Sequence, residues 1–361
     1  MKHCFWRSFA AIILSLVLLF LLCSCGSDGY REVKSKSAWR KTILTVGGED
    51  VSFELLRFYF FRHTAEADSG DAAVWEGDDA AALVEKTLQS AIRDICDLYA
   101  VFALCRSWSI DPESDSIDAV VNRYVKIDVD GGSLDGSTTV GGFGGDYDAY
   151  RKSLTEIHST DTVNRLHYRY LACLSALYTY IVENGAEGKV PAATEADLRA
   201  FLASDDCAHA NYAYIDKSSY PDAGAEAEKL YGKMRAAEGD LDALANLVKG
   251  YHFTGNPYSG EYYAKYATDA TDKTRYNTIF SLSVGEVSLP VETDGGYYIY
   301  YGMAKDASVL TGESADTIRS LYLEESYIYR PLAGRATTLA EEIVYKPDYA
   351  KLTYAKLSEE P

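Results

Sequence analysis

Apolar positions along this chain recur with two different periods, and the change between them outlines its organisation. From Leu83 onward, Val84, Leu88, Ala91, Ile92, Ile95, Tyr99 and Phe102 return every three or four residues, the spacing of one helix face. The same period at Val163, Leu166, Tyr170, Cys173, Leu174, Leu177 and Ile181 predicts a second long helix over 162–182, preceded by a shorter one over 147–157. Upstream, the run TILTVGGEDVS over 42–52 sets Gly47-Gly48 between apolar residues, a hairpin signal. Ser52, with Glu54 in the first turn, is placed to cap a helix carrying Phe53, Leu56 and Phe60. The acidic, small-residue stretch 65–80 reads as a loop, as does the glycine-rich stretch 126–146, and Ile110-Asp111-Pro112-Glu113 reads as a helix start.

Past Pro191-Ala192-Ala193, a hinge by composition, the pattern shortens. Thr194-x-x-Asp197 has capping-box form, Cys207–Asp216 alternates as a strand, and helices are predicted over 222–238 and 241–249. A strand over 262–266 and a short helix over 273–280 lead into Phe280–Tyr300, FSLSVGEVSLPVETDGGYYIY. That stretch predicts a helix-ending Leu-x-x-Gly-Glu-Val-Ser turn, a strand opened by Pro290, a tight turn and an aromatic strand. Asp294, Gly295 and Gly296 are expected to supply the turn's positive φ. From Thr311 the pattern is helical to about Ile343, with a kink expected at Pro331, and 344–357 is expected to pair near residue 42.

The elements predict an α+β chain. A helical domain covers 41–190 and is completed by a C-terminal helix and tail over 311–361, with an inserted α+β domain of β-α-α-β-α-β-β order over 191–310. At 361 residues and 47% apolar content, both domains can bury real cores.

The N-terminus changes the picture of where the chain works. Lys2 and Arg7 precede an apolar run from Phe9 to Leu22, broken by Ser15 and ending in Leu22-Cys23-Ser24-Cys25, so 1–25 reads as a signal peptide. The last four residues are similar to a bacterial lipobox. Ser24 is small and fits Cys25 as the lipidated residue, whereas Leu22 disfavours Cys23. Secretory cleavage without lipid and an uncleaved anchor are the alternatives, and all three put the chain outside the cytoplasm. The polar stretch 26–40 is then a tether. Without 1–25 the chain keeps 33 Lys and Arg against 54 Asp and Glu, a net charge of −21, which repels nucleic acid and anionic headgroups. Membrane association is expected through the lipid on Cys25.

Candidate chemistry is sparse. Cys96 and Cys105, about 13 Å apart along one predicted helix, cannot bridge each other, so with Cys173 and Cys207 they are expected as buried free thiols. Asp128-x-Asp130-x-Gly132 opens like a calcium loop, but Thr139 stands where the bidentate carboxylate belongs. The GGFGG run lacks the Lys-Ser/Thr of a phosphate cradle, and no Ser-His-Asp, Cys-His or HExxH arrangement falls on suitable elements. No metal or cofactor is expected.

The residues Leu282-x-x-Gly285-Glu286-Val287-Ser288-x-Pro290-Val291-x-Thr293-x-x-Gly296 are similar to the C-terminal signature of parvulins. With the lipobox, the helical region and TVGGEDVSFELLRFYF, the mature chain resembles the PrsA/SurA class of exported foldases, in which a helical chaperone domain carries a parvulin-type peptidyl-prolyl isomerase module. The resemblance implies an extracytoplasmic, membrane-anchored chaperone that binds unfolded exported polypeptides. It also implies a proline pocket over a polar cluster, and here that cluster departs from the pattern. Tyr212 and Tyr298 stand at the two histidine positions, Gly295 at the serine-like position and Thr254 at the Asp or Cys position. Substrate contacts are expected from Tyr212, Tyr214, Phe280, Leu282 and Tyr298. His209, an odd number of residues from Tyr212, should point to the other sheet face, and His252 lies nearer the expected cleft. Three readings stay open: a foldase with a degenerate module, an active isomerase using tyrosine donors, and a surface lipoprotein that binds without chaperoning.

Overall fold

The computed structural model describes residues 30–361 except 69–70, 134–140, 185–189, 252–257, 267–272, 307–309, 311 and 360–361. These fall into two compact units, one of residues up to Glu183 together with Pro331 onward, the other running Asn184–Arg330. The fold is α+β. In chain order come β1 (Thr42–Val46), β2 (Glu49–Ser52), α1 (Phe53–Arg62), α2 (Ala80–Ser107), α3 (Asp115–Asp130), α4 (Tyr147–Glu156) and α5 (Asp161–Asn184). The second unit adds α6 (Glu195–Ala203), β3 (Cys207–Asp216), α7 (Ala223–Ala236), α8 (Leu241–Val248), β4 (Glu261–Ala264) and α9 (Lys273–Ser281). It closes with β5 (Val291–Glu292), β6 (Gly296–Gly302) and α10 (Gly312–Glu324); α11 (Arg330–Glu341) and β7 (Ile343–Tyr345) follow.

In the helical unit, β1 and β2 turn at Gly47 and Gly48, whose φ of 57° and 86° give the left-handed turn that a two-residue hairpin needs. Ser52 accepts a hydrogen bond from the Leu55 amide and caps α1. β7 pairs antiparallel with β1, Leu44 opposite Tyr345. α1 packs on α2, which buries Val84, Leu88, Ile92, Ile95 and Phe102 on the stripe seen in the sequence. Each such side chain contributes roughly 1.5–3 kcal/mol of burial. The four cysteines beyond the N-terminal segment are buried and unpaired, Cys96 and Cys105 both on α2.

Three sequence expectations are corrected here. α3 starts at Asp115 after an extended Ser114, not at Ile110, because Asp111-Pro112 forms a turn in which the Asp111 carboxylate accepts from the Glu113 amide. The same helix runs on to Asp130 and stops at Gly131, so 126–130 is not loop; Asp128 accepts from Tyr168, and Asp130 from Tyr30. Within 65–80, a 3-10 turn over Ala72–Trp75 buries Trp75, which stacks on Tyr354 at 4.7 Å and donates to Asp68. A single tryptophan in an acidic stretch has no periodicity to betray it.

The second unit is built on a four-stranded antiparallel sheet of order β4-β3-β6-β5. Alternation along β3 sends Ala213 and Ile215 to one face, where they meet Leu230 and Met234 of α7 and Leu244 and Val248 of α8. Ala210, Tyr212 and Tyr214 go to the other face, beneath Ile279 of α9. Thr194 and Asp197 close a reciprocal capping box on α6. α10, which the sequence reading joined to the returning C-terminal segment, packs in this unit instead. Ile318 is fully buried with Leu198, Phe201, Leu202 and Ala264.

Helix α10 ends in a π-turn over Glu325–Tyr329, closed by the Arg330 amide on the Glu325 carbonyl. The irregularity expected at Pro331 thus lies in the turn just before it. Glu325 is fully buried; one carboxylate oxygen accepts from the Tyr266 amide at 2.9 Å. The other has no hydrogen-bond partner and lies 3.9 Å from Arg330.

Candidate functional site

Long-range pairing of β3 with β6 assembles the residues singled out in the sequence. The register sets Tyr212 opposite Tyr300 and Tyr214 opposite Tyr298, so four phenols share one sheet face. Their rings interlock: Tyr214–Tyr298 centroids are 4.7 Å apart, Tyr212–Tyr298 5.5 Å, Tyr212–Tyr300 5.8 Å, and Tyr298 stacks on Tyr300 at 5.7 Å. Arg275 of α9 lies over Tyr298, its guanidinium carbon 4.0 Å from the ring centroid, and its Nε donates to the Tyr300 hydroxyl at 2.6 Å. Tyr263 of β4 extends the row and donates to Glu261.

Exposure separates these residues. Tyr298 is 2% exposed and Tyr300 fully buried, whereas Tyr212 and Tyr214 are half-buried. Leu282 packs against the cluster; Phe280 is half-buried on α9 outside it. Burial pushes the Tyr214 phenol up, aided by Asp216, and holds Tyr263 far above the usual tyrosine range. Both are neutral donors, not bases. The face offers ring surfaces and hydroxyls with a half-buried cation above them, a set suited to packing and hydrogen bonding rather than proton transfer.

Gly295 carries the serine-like position of the resemblance. A Cβ there would lie 2.8 Å from the Tyr214 hydroxyl, so the tyrosine already fills that space. Neither Gly295 nor Gly296 nor Asp294 has positive φ, contrary to expectation. Gly296 is required by close approach instead: its Cβ would meet the Ile215 carbonyl oxygen at 2.2 Å. The turn is held by Thr293, whose amide and hydroxyl both donate to the Gly296 carbonyl at 2.8 and 2.9 Å.

The left-handed residue is Gly285, at φ 79°, where a Cβ would come 2.9 Å from the Gly239 Cα. Around it the Gly-Glu-Val-Ser turn ties onto the end of β6. The Gly285 amide donates to the Gly302 carbonyl, the Gly302 amide to the Glu286 carbonyl, and Ser288 exchanges backbone and side-chain bonds with Tyr300. The Val287 amide donates to Glu238 beyond α7. The motif is therefore a backbone clamp that fixes β6, and with it Tyr298 and Tyr300.

His209 lies away from this cluster. Its ring stacks on Tyr262 at 4.0 Å, and its two nitrogens sit 2.6 and 2.9 Å from the carbonyl oxygens of Ala304 and Ser259. Thr254 and His252 fall outside the described residues, as does Cys25. Sequence reasoning missed Arg275, an isolated cation on a short helix whose partners come from a strand 25 residues on.

Fold and site together define a two-unit α+β chain whose second unit is a four-stranded antiparallel module, with a helix pair on one face and a single helix over a tyrosine cluster on the other. Solved structures of PrsA foldases are similar to it. The crystal structure of PrsA from Bacillus subtilis is 18% identical, with 84% of this chain and 93% of that chain covered and a TM-score of 0.23. Foldase protein PrsA from Streptococcus pneumoniae is 11% identical over 86% of this chain and 97% of its own, TM-score 0.28. That from Lactococcus lactis is 14% identical over 88% and 100%, TM-score 0.24. No protein-family model and no curated protein matches the chain. Among the described residues no helix is long and apolar enough to cross a membrane.

Proposed function

We propose that this chain is an extracytoplasmic foldase that binds unfolded exported polypeptides, anchored through lipid on Cys25, with a parvulin-like module of weak or no isomerase activity. The observation that carries the reading is the Leu282–Gly296 signature, whose backbone clamp is intact while the polar positions it should support hold Tyr212, Gly295 and Tyr298. Amide rotation has a barrier of about 18–20 kcal/mol, and lowering it requires a pocket that favours the twisted bond over both planar forms. Tyr298 is packed between Tyr214, Tyr300 and Arg275, which leaves its ring little surface to offer an incoming proline. Client binding then falls to exposed and half-buried aromatic surface, with the acidic exterior suited to basic segments.

Two assays on the full chain test this. Suppression of aggregation of an unfolded client at equal concentration is expected, and its absence for every client tried would point to a binding lipoprotein that does not chaperone. Refolding of a proline-limited client should be unchanged in rate; a clear acceleration that Tyr298→Phe abolishes would establish an active isomerase instead.

A further inference from the structure

The helical unit contains a cavity of about 530 Å³ that the foldase reading does not use. Its apolar wall is Phe58 and Phe61 of α1, Tyr168 of α5 and Ile157, which is 57% exposed at the mouth. Its polar groups are mostly basic. Arg62, exposed beside the Phe58 ring, pairs with no carboxylate among the described residues. His158 follows α4 at φ 56°, its ring stacked on Phe61 at 3.6 Å. Its Nδ1 lies 3.1 Å from an Arg57 guanidinium nitrogen, which can only donate, so Nδ1 accepts and the proton of the neutral ring is on Nε2. Burial and Arg57 lower this imidazole, which keeps it in that neutral form.

His167 completes the set. It lines the same cavity, and its Nδ1 is buried with no hydrogen-bond partner, an arrangement that calls for a missing partner. Burial and Arg62 push its imidazole down to about 4. Asn164, also on the wall, donates its amide to the Tyr150 hydroxyl at 2.6 Å. Among the described residues no Asp or Glu lines the cavity, in a chain with 54 of them against 35 Lys and Arg. A cation and imidazole nitrogens beside stacked rings make a local environment for an anion with an apolar body, and the Asp128 carboxylate behind the wall is taken up by the Tyr168 hydroxyl.

We infer that this cavity binds a carboxylate borne on an aromatic or branched apolar group, its apolar part against Phe58, Phe61 and Ile157 and its carboxylate at Arg62 and the Nε2–H of His158. That chemistry has two sources, a free organic acid or the C-terminal residue of a polypeptide, and the cavity holds either. The inference stands on the helical unit alone and does not depend on the module's activity.

Titration of the full chain with 3-phenylpropionate, followed through the histidine ring signals, tests it. Saturable shifts of His158 and His167 are expected, with 3-phenylpropionamide weaker by about tenfold or more. Arg62→Gln should cost a similar factor, and Ile157→Glu, at an exposed position, should abolish binding while the unfolding transition stays in place. An unstructured peptide ending in Phe with a free carboxylate, compared with its C-terminal amide, assigns the source. A peptide that binds at least about tenfold tighter than the free acid marks a polypeptide terminus, and equal binding marks a small-molecule site. No saturable shift of either ring up to about 10 mM, or equal binding of acid and amide, or full affinity in Arg62→Gln, overturns the inference.

Discussion

The hydroxyl of Tyr214 stands 2.8 Å from the point where a Cβ on residue 295 would sit. One strand thereby supplies, by a long side chain, the volume that the neighbouring turn gives up. Gly295→Ser should destabilise the chain by about 1 kcal/mol through overpacking and should have little effect in a Tyr214→Phe background. Urea unfolding of the four members of that cycle checks it; additive effects would separate the two positions.

Gly285 faces a sterner constraint, because both its φ of 79° and its approach to Gly239 exclude a side chain. Gly285→Ala should cost about 2 kcal/mol or more. The loss should register as a lower urea midpoint and as faster hydrogen exchange along β6, which the turn clamps.

Arg275 holds Tyr298 by its charge and Tyr300 by a hydrogen bond. Arg275→Met keeps the length and removes both, so a loss of about 1–3 kcal/mol is expected. Arg275→Lys should recover only part of it, since an ammonium cannot spread over one ring while donating to the next. Full rescue by lysine would show that charge alone matters.

Glu325 ties the second unit to pH. Burial raises its carboxyl from 4.5 to about 7, against the opposing pull of the Tyr266 amide, Arg330 and Lys265, with Asp206 adding to the rise. The folded state therefore holds a proton that the unfolded chain releases near 4.5, so stability is highest below that pH and declines as pH rises through about 7. The loss across the window is on the order of 3 kcal/mol. Glu325→Gln should flatten it; unfolding curves at pH 4.5, 6 and 8 would test this, and an unchanged slope in the variant would assign the dependence elsewhere.

Arg57 is 1% exposed and bonds the carbonyls of Leu357 and His158 at 2.6 and 2.9 Å. Arg57→Met strands both acceptors and should cost about 2–4 kcal/mol. Proteolysis near residue 353 should accelerate in parallel, because the carbonyl of Leu357 loses its anchor.

Local pattern carried much of this fold. β3 has the ends that its alternation predicted, Cys207 and Asp216, and α7 follows Asp222 as its cap. Residues whose reasons are distant were not legible. Gly296 looked like a turn glycine, but what it avoids is a carbonyl some 80 positions earlier in the chain, on Ile215. Trp75 was silent because its partner is Tyr354. For the site, the sequence named Tyr212, Tyr214 and Tyr298, while their meeting on one sheet face and their closure beneath Arg275 depended on a register that no local signal encodes.

The pairing of β1 with β7 sets an order of events. A chain synthesised from its N-terminus presents Leu44 some 300 residues before Tyr345, its neighbour in the sheet, exists. The strands of the second unit all lie between Cys207 and Gly302, so that sheet has every partner it needs while the first still waits for one. The late segment thus closes the first sheet last. A chain truncated before Ile343 would carry a finished module and, in its helical unit, an open sheet edge, a species recognisable to proteases and prone to strand exchange.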